Sequence, residues 1–365
     1  MRRAVAVAAT AMGPDRMRRG VALAATAIAL LTGATAARAG DAPPAGAHAA
    51  EASAARPRVE RRGMATATVA SIQRSVARRR SAAGYTYASW LDPATRKVVV
   101  KTDAPRSVTA TLARRFPGAI DLRPGGPRDE LSPDPPIPAA PRMIGGSGLS
   151  PRADLAPFWG GGSIAGDGGI CSAGFTVQDP AGARFMVTAG HCFPRGGAVR
   201  TTAGNGLVGS VVRRGSLPPF DMELIGGQSY GGSIFAGSGN DWSRKRVTGA
   251  ADPVVGAGGY CRSGQTTGER CGQTIASVSA QVCTQTGCKS PVIVYSGGPA
   301  GAGAPGDSGA PLYLPDADGA GVRIAGMHIA TAGTVSFAEK WSRIASHFGV
   351  TIGVSRRRAR AASTR

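Results

Sequence analysis

Two short strings hold the side chains whose types and spacing could do chemistry. The first is Thr188-Ala189-Gly190-His191-Cys192, which follows the apolar run Phe185-Met186-Val187. The second is Gly306-Asp307-Ser308-Gly309-Ala310-Pro311, which leads into Leu312-Tyr313-Leu314. A serine hydroxyl is a poor nucleophile at neutral pH and needs a base within hydrogen-bond reach. An imidazole at a strand end, fixed by an adjacent disulfide, can be that base. Glycine on both sides of Ser308 lets the backbone approach a substrate closely, and two N–H groups there can bind an oxyanion. Each string alone has a plain structural reading: a core histidine for one, a Gly-Asp-Ser-Gly turn for the other. Both together, histidine before serine, point to nucleophilic acyl transfer.

The elements that must position these groups read as short strands. Glycine makes up 54 of the 365 residues, aromatics are only 5% and charged residues 18%. That composition excludes a coiled coil, and the absence of a Gly-X-Y period excludes collagen. From about residue 158 the spacing predicts strands at Ser172–Val177, Arg184–Ala189, Gly206–Val212, Asp221–Ile225, Gln273–Val282, Pro291–Ser296, Ala310–Leu314 and Val322–Ile329. Many short strands between Gly-rich turns argue for an all-β barrel or sandwich. Phe337, Trp341, Ile344, Ala345 and Phe348 share one face of a closing helix.

Upstream, Arg18-Arg19, the apolar stretch Val21 to Ala37 and Ala37-Arg38-Ala39 read as an export signal over residues 1–39. The apolar stretch is shorter than the roughly 20 residues of a membrane-spanning helix, so no membrane is expected as a partner. Residues 40–122 form a small α+β unit, partly disordered: a helix at Ala65 to Arg80, strands at Tyr85 to Trp90 and Val98 to Lys101, and a helix at Ser107 to Phe116. Residues 123–145 are a Pro-rich linker with a maturation site nearby, the expected new terminus falling between Pro141 and Trp159. A domain at 146–354 and a basic tail at 355–365 complete the division. Six cysteines, at 171, 192, 261, 271, 283 and 288, imply disulfides in an exported chain, and their spacing argues against structural zinc. The net charge of +21 invites a nucleic-acid reading. It is spread over both halves and the tail, without interleaved aromatics or a nucleic-acid motif, so no nucleic-acid partner is expected. Neither metal nor cofactor is expected.

Residues 159–352 resemble the chymotrypsin-fold serine proteases, most closely the streptogrisin and α-lytic protease group. The resemblance rests on Cys171-Ser172-Ala173-Gly174-Phe175, the His191 string, Cys261-Arg262-Ser263-Gly264, Thr266-Thr267-Gly268, Cys271-Gly272, the Ser308 string and the closing helix followed by Gly349-Val350-Thr351. It implies two antiparallel six-stranded β-barrels with the site between them, and a secreted monomeric endopeptidase acting on polypeptides. It also implies that residues 64–122 are a pro-region, a partner in cis that assists folding and covers the cleft. The third catalytic group would be a carboxylate between His191 and Ser308: Asp221, Glu223, Asp241, Asp252, Glu269 or Asp307. Asp221 is preferred, because Asp221-Met222-Glu223-Leu224-Ile225 is similar to the family's strand start.

By that resemblance Ser308 attacks the peptide carbonyl, His191 shuttles its proton, and Asp221 orients the imidazole. The N–H groups of Gly306 and Ser308 form the oxyanion hole. Asp307 pairs with Arg262 to support the loop, and the disulfides are Cys171–Cys192, Cys261–Cys271 and, by remainder, Cys283–Cys288. Ala302 stands where trypsin-like members carry an aspartate, which argues against a preference for Lys or Arg. His328 falls where glutamate-specific relatives place a carboxylate-binding histidine, and Thr331 could add a hydroxyl, but Pro305 replaces the serine often found in glutamyl members. The other reading of His328, a satisfied histidine lining a strand, is the better supported of the two. Two rivals stand beside the enzyme: a catalytically silent protease-like binding module, and a basic nucleic-acid or cell-wall binder.

Overall fold

The computed structural model describes residues 67–78, 84–130, 150–203, 206–238, 241–319 and 321–355. All of them lie in the unit Arg56–Arg365, the other unit being Met1–Ala55. The export signal, the linker after residue 130 and the basic tail after residue 355 fall outside the described residues.

A helix, α1, spans 67–78. It is followed by β1 (Tyr87–Leu91), β2 (Val98–Thr102), α2 (Arg106–Arg115), β3 (Ile120–Pro124) and the two-residue β4 (Arg128–Asp129). Then come β5 (Phe158–Gly160), β6 (Ser163–Gly166), β7 (Gly169–Ser172), β8 (Thr176–Gln178), β9 (Arg184–Thr188), β10 (Ala198–Thr201), β11 (Leu207–Arg214) and β12 (Glu223–Gly226). The last run is β13 (Tyr230–Ser238), β14 (Asp241–Ala250), β15 (Tyr260–Gly264), β16 (Gly268–Thr284), β17 (Gly287–Ser296), β18 (Pro311–Pro315), β19 (Val322–Ala332) and β20 (Val335–Lys340). Helix α3 (Trp341–Phe348) and β21 (Thr351–Ile352) close the chain.

The fold is all-β, with a terminal helix and an α+β segment in front. One sheet of eight strands runs in the order β21-β8-β9-β12-β11-β10-β6-β7, and β9 leads directly to His191. A second sheet of thirteen strands takes in β13 to β20, β5 and all four amino-terminal strands. Pairing is antiparallel except between β2 and β3, β5 and β13, and β14 and β19. The amino-terminal strands enlarge this sheet through β1, which pairs with β16 at Tyr87↔Cys283 through Ser89↔Gln281.

Period-two alternation explains how the segment 67–124 can be so small. Tyr87, Val98 and Val100 turn to one side and bury against Ile72, Val76 and Leu112 of the helices, with Cys283 of the β16–β17 hairpin. Ala88, Trp90 and Val99 turn to the other side and join the main core, where Trp90 packs edge-on against Phe337 at 6.3 Å between ring centroids. The segment completes its core with residues of the following domain.

Several expected elements are placed differently. Ser172–Val177 is broken between β7 and β8, and Asp221 stands two residues before β12 rather than opening it. Phe337 lies in β20 and not on the closing helix, which starts at Trp341. Strands β13 and β14 escape a hydrophobicity reading because Tyr-Gly-Gly-Ser and Arg-Lys-Arg stretches carry too few apolar side chains. The first part of the expected linker is drawn into strands: β3 pairs with β2, and β4 pairs with β19.

Candidate active site

Strand β9 ends at Thr188, and the turn after it delivers His191 beside the disulfide Cys171–Cys192. Strand β18 starts at Pro311, and the loop before it carries Ser308. These loops are tied together through β7. Ser172 N–H donates to Ser308 O at 2.7 Å, and Ser172 Oγ donates to Gly306 O at 2.9 Å. The backbone of Gly306 has φ +96°, a conformation that favours glycine.

Ser308 Oγ lies 2.7 Å from His191 Nε2. His191 Nδ1 lies 2.9 Å from Asp221 Oδ2, and the His191 backbone N–H donates to Asp221 Oδ1 at 3.0 Å. The side chains of His191 and Asp221 are 2% and 0% exposed, so the pair sits out of water. Burial favours the uncharged form of Asp221, but the charges of His191 and Lys289 outweigh it and hold the carboxyl well below its ordinary range. Burial favours a neutral His191, whereas the charge and hydrogen bond of Asp221 favour the imidazolium and raise its pKa on balance.

The other weighed carboxylates sit elsewhere. Glu223 is buried with Arg214 Nε at 3.6 Å, Asp252 accepts the N–H of Ser342 in the first turn of α3, and Glu269 receives Lys245 and Tyr313. Asp241 opens β14. Asp307 turns away from the nucleophile. It accepts the N–H groups of Ala304, Thr266 and Thr267, each at 3.1 Å, and faces Arg262 Nη2 at 3.4 Å, both side chains fully buried. Arg262 in turn donates to the carbonyls of Gly301 and Ala302, which pins the chain leading into the nucleophile loop. The other disulfides join Cys261 to Cys271 and Cys283 to Cys288.

The cleft is occupied by the protein's own chain. Strand β4 lies antiparallel along β19, pairing Asp129 with Ala330 and Arg128 with Thr331. The next residue, Glu130, offers its carbonyl to the N–H of Gly306 at 2.6 Å. Its side chain enters a pocket where Oε2 meets His328 Nε2 at 2.6 Å, with Thr331 as a second hydrogen-bonding partner. Burial alone would raise the Glu130 pKa, but His328 and Thr331 more than offset it, so the carboxyl is held low. Behind the ring, the hydroxyl of Tyr295 meets His328 Nδ1 at 2.7 Å, leaving Nε2–H to face the carboxylate.

Among the expected pocket residues, His328 and Thr331 meet Glu130, while Ala302 takes part through its carbonyl, held by Arg262. The residue whose backbone faces the carboxylate is Gly303, where a Cβ would collide with Glu130 Oε2, Thr331 Oγ1 and His328 Nε2. Gly303, Tyr295 and Glu130 were not legible as site residues. The Gly-Ala-Gly spacing before Pro305 is the only local signal, and it is shared with many loops.

Three groups of His, Cys, Asp and Glu side chains come close enough to hold a metal among the described residues. Two contain disulfide cysteines, whose sulfurs are already spent on each other. The third, Asp129, His191 and Asp221, already receives the ammonium of Lys289.

No protein-family profile matches the chain. Glutamyl endopeptidase 2 of Streptomyces griseus is 37% identical over 127 residues, which are 34% of this chain and 63% of that protein. Serine protease 2 of Streptomyces fradiae is 36% identical over 114 residues, 30% of this chain and 62% of that protein. The chain thus spans less than two thirds of the length of either relative. A solved glutamic-acid-specific serine protease, described as using a histidine triad in substrate binding, aligns at TM-score 0.44 and 28% identity, over 53% of this chain and 100% of that one. In its sequence, the chain is thus similar to serine proteases of Streptomyces.

Proposed function

We propose that the protein is a secreted serine endopeptidase that cuts after glutamate, made as a precursor whose own Glu130 occupies the site before the cut. The observation that carries this reading is the double engagement of Glu130: its carbonyl on the Gly306 N–H and its carboxylate on His328. A substrate residue immediately before a scissile bond needs both, one to stabilise the oxyanion and one to select the side chain. The relative named glutamyl endopeptidase supports the same side-chain preference.

The chemistry follows from the distances. His191 Nε2 takes the proton as Ser308 Oγ attacks the carbonyl carbon, and the oxygen gains negative charge against the Gly306 N–H. Asp221 stabilises the imidazolium that forms. Collapse breaks the C–N bond, His191 hands its proton to the departing amine, and an ester to Ser308 remains. Water, deprotonated by the same imidazole, then releases the acid and restores the serine. A cut after Glu130 would make Leu131 the new terminus, upstream of the one expected from the linker composition.

Export is supported by the six cysteines, all paired, since disulfides persist in oxidising compartments. No helix among the described residues is long and apolar enough to cross a membrane. The test is the full chain against Ser308→Ala. The unaltered chain should be cut after Glu130, react with a fluorophosphonate and hydrolyse Glu-Leu peptides faster than Phe-Leu or Lys-Leu peptides. The variant should stay intact and unlabelled. Hydrolysis that survives Ser308→Ala would dismiss this reading, and labelling without turnover would favour the silent binding module.

A further inference from the structure

The geometry points to a second acid-reading pocket in the cleft, one residue before the glutamate, in which Lys289 receives a carboxylate and makes acidic-Glu the preferred sequence. This rests on the reading of Glu130 as the residue before the cut. Asp129, its predecessor, is held on three sides: Lys289 Nζ at 2.9 Å from Oδ1, Thr286 Oγ1 at 2.7 Å and Thr286 N–H at 3.3 Å from Oδ2. All of these donors come from the tip of the β16–β17 hairpin, which the bridge Cys283–Cys288 clamps.

Lys289 is an unusual residue for such a place. Its side chain is 0% exposed, steadied by Thr284 Oγ1 at 2.5 Å and Thr286 Oγ1 at 2.6 Å, and its ammonium also stands 3.3 Å from Asp221 Oδ2. A buried ammonium is tolerated only when paired. With Asp129 in place it bridges two carboxylates, and Asp221 remains oriented on His191. A neutral side chain in that position would leave Lys289 with Asp221 as its one carboxylate, drawing on the group that must support the imidazolium. An acidic side chain therefore satisfies the pocket and the catalytic pair at once, and a basic one would meet the ammonium head on.

The experiment compares kcat/KM of the active enzyme released from the full chain on four peptides that differ only before the glutamate: Asp-Glu-Leu, Asn-Glu-Leu, Ala-Glu-Leu and Lys-Glu-Leu. Asp should exceed Asn and Ala by at least about tenfold, as expected for a charge-assisted contact in a buried site, with Lys the poorest. Lys289→Gln should bring the Asp-to-Asn ratio near one, and Lys289→Arg should retain most of it. General damage to catalysis lowers all four rates together and leaves the ratio alone, so the ratio separates recognition from support of Asp221. If the Lys289 variants do not fold, Thr286→Val should still lower the ratio. A ratio near one in the unaltered enzyme, or a tenfold ratio that Lys289→Gln leaves intact, overturns the inference. Failure to prefer Glu-Leu over Phe-Leu and Lys-Leu peptides would instead overturn the proposed function, a separate measurement that leaves the Asp-to-Asn ratio to judge the inference.

Discussion

At the scale of single residues, the site is a balance of charges held in a dry place. His191 feels burial against it and two carboxylates in favour of its charged form, Asp221 directly and Asp129 from the neighbouring strand. A general base must be neutral to accept a proton, so a raised pKa moves the acid limb of activity upward. Self-cutting of the precursor should therefore rise with pH through a midpoint above the ordinary histidine value of 6.5. Asp129→Asn removes one of the charges, and the midpoint should move toward lower pH. Following the appearance of the cut chain between about pH 5 and 9 checks this. A midpoint that stays put would mean that the Asp129 charge is not felt at the ring.

At the scale of elements, strand β12 shows what holding the triad costs. It follows Asp221 and opens with Glu223, a buried carboxyl whose pKa burial pushes up to about 9, with Arg214 only partly compensating. Between 4.5 and about 9 the folded protein keeps a proton here that the unfolded chain has released. Stability contributed by this residue therefore falls as pH rises across that window. Glu223→Gln should raise the melting temperature, with a gain on the order of a few kcal/mol near pH 8 that fades toward pH 4.5. Thermal unfolding at both pH values measures it, and an equal effect at both would contradict the assignment. The same scale explains which elements could be read from sequence. Strands β9, β18 and β19 carry apolar runs beside Gly-rich turns. The two-residue β4 has no periodicity at all, and only its partner on β19 makes it a strand.

At the scale of the whole molecule, the segment 67–130 and the domain that follows it share sheet and core. Strand β1 continues the sheet at β16, and Trp90 reaches the main core at Phe337. Truncating a buried aromatic to alanine typically costs about 3–5 kcal/mol. If these contacts hold the segment over the cleft after cutting, Trp90→Ala should release the amino-terminal fragment sooner and shorten the lag before peptide hydrolysis. Gel filtration of the cut protein beside an activity time course tests this. A fragment that stays bound as firmly as in the unaltered protein would place the hold elsewhere, in β4 and the acidic side chains of Asp129 and Glu130.

Ser308 and His191 were readable in the chain as candidates because what marks them is local, whereas Asp221 was chosen among six carboxylates only by resemblance. A loop that must bend tightly shows its glycines, a fixed histidine shows its cysteine, and a strand leading to either shows its apolar run. What the pocket binds was decided only by tertiary structure. Glu130, Gly303 and His328 come from three separated places and Lys289 and Tyr295 from strand β17, and the chain alone left two readings of His328 open. A buried charge needs a partner in space and not in sequence, and no local pattern marks the glutamate that the fold lays between that histidine and the Gly306 amide.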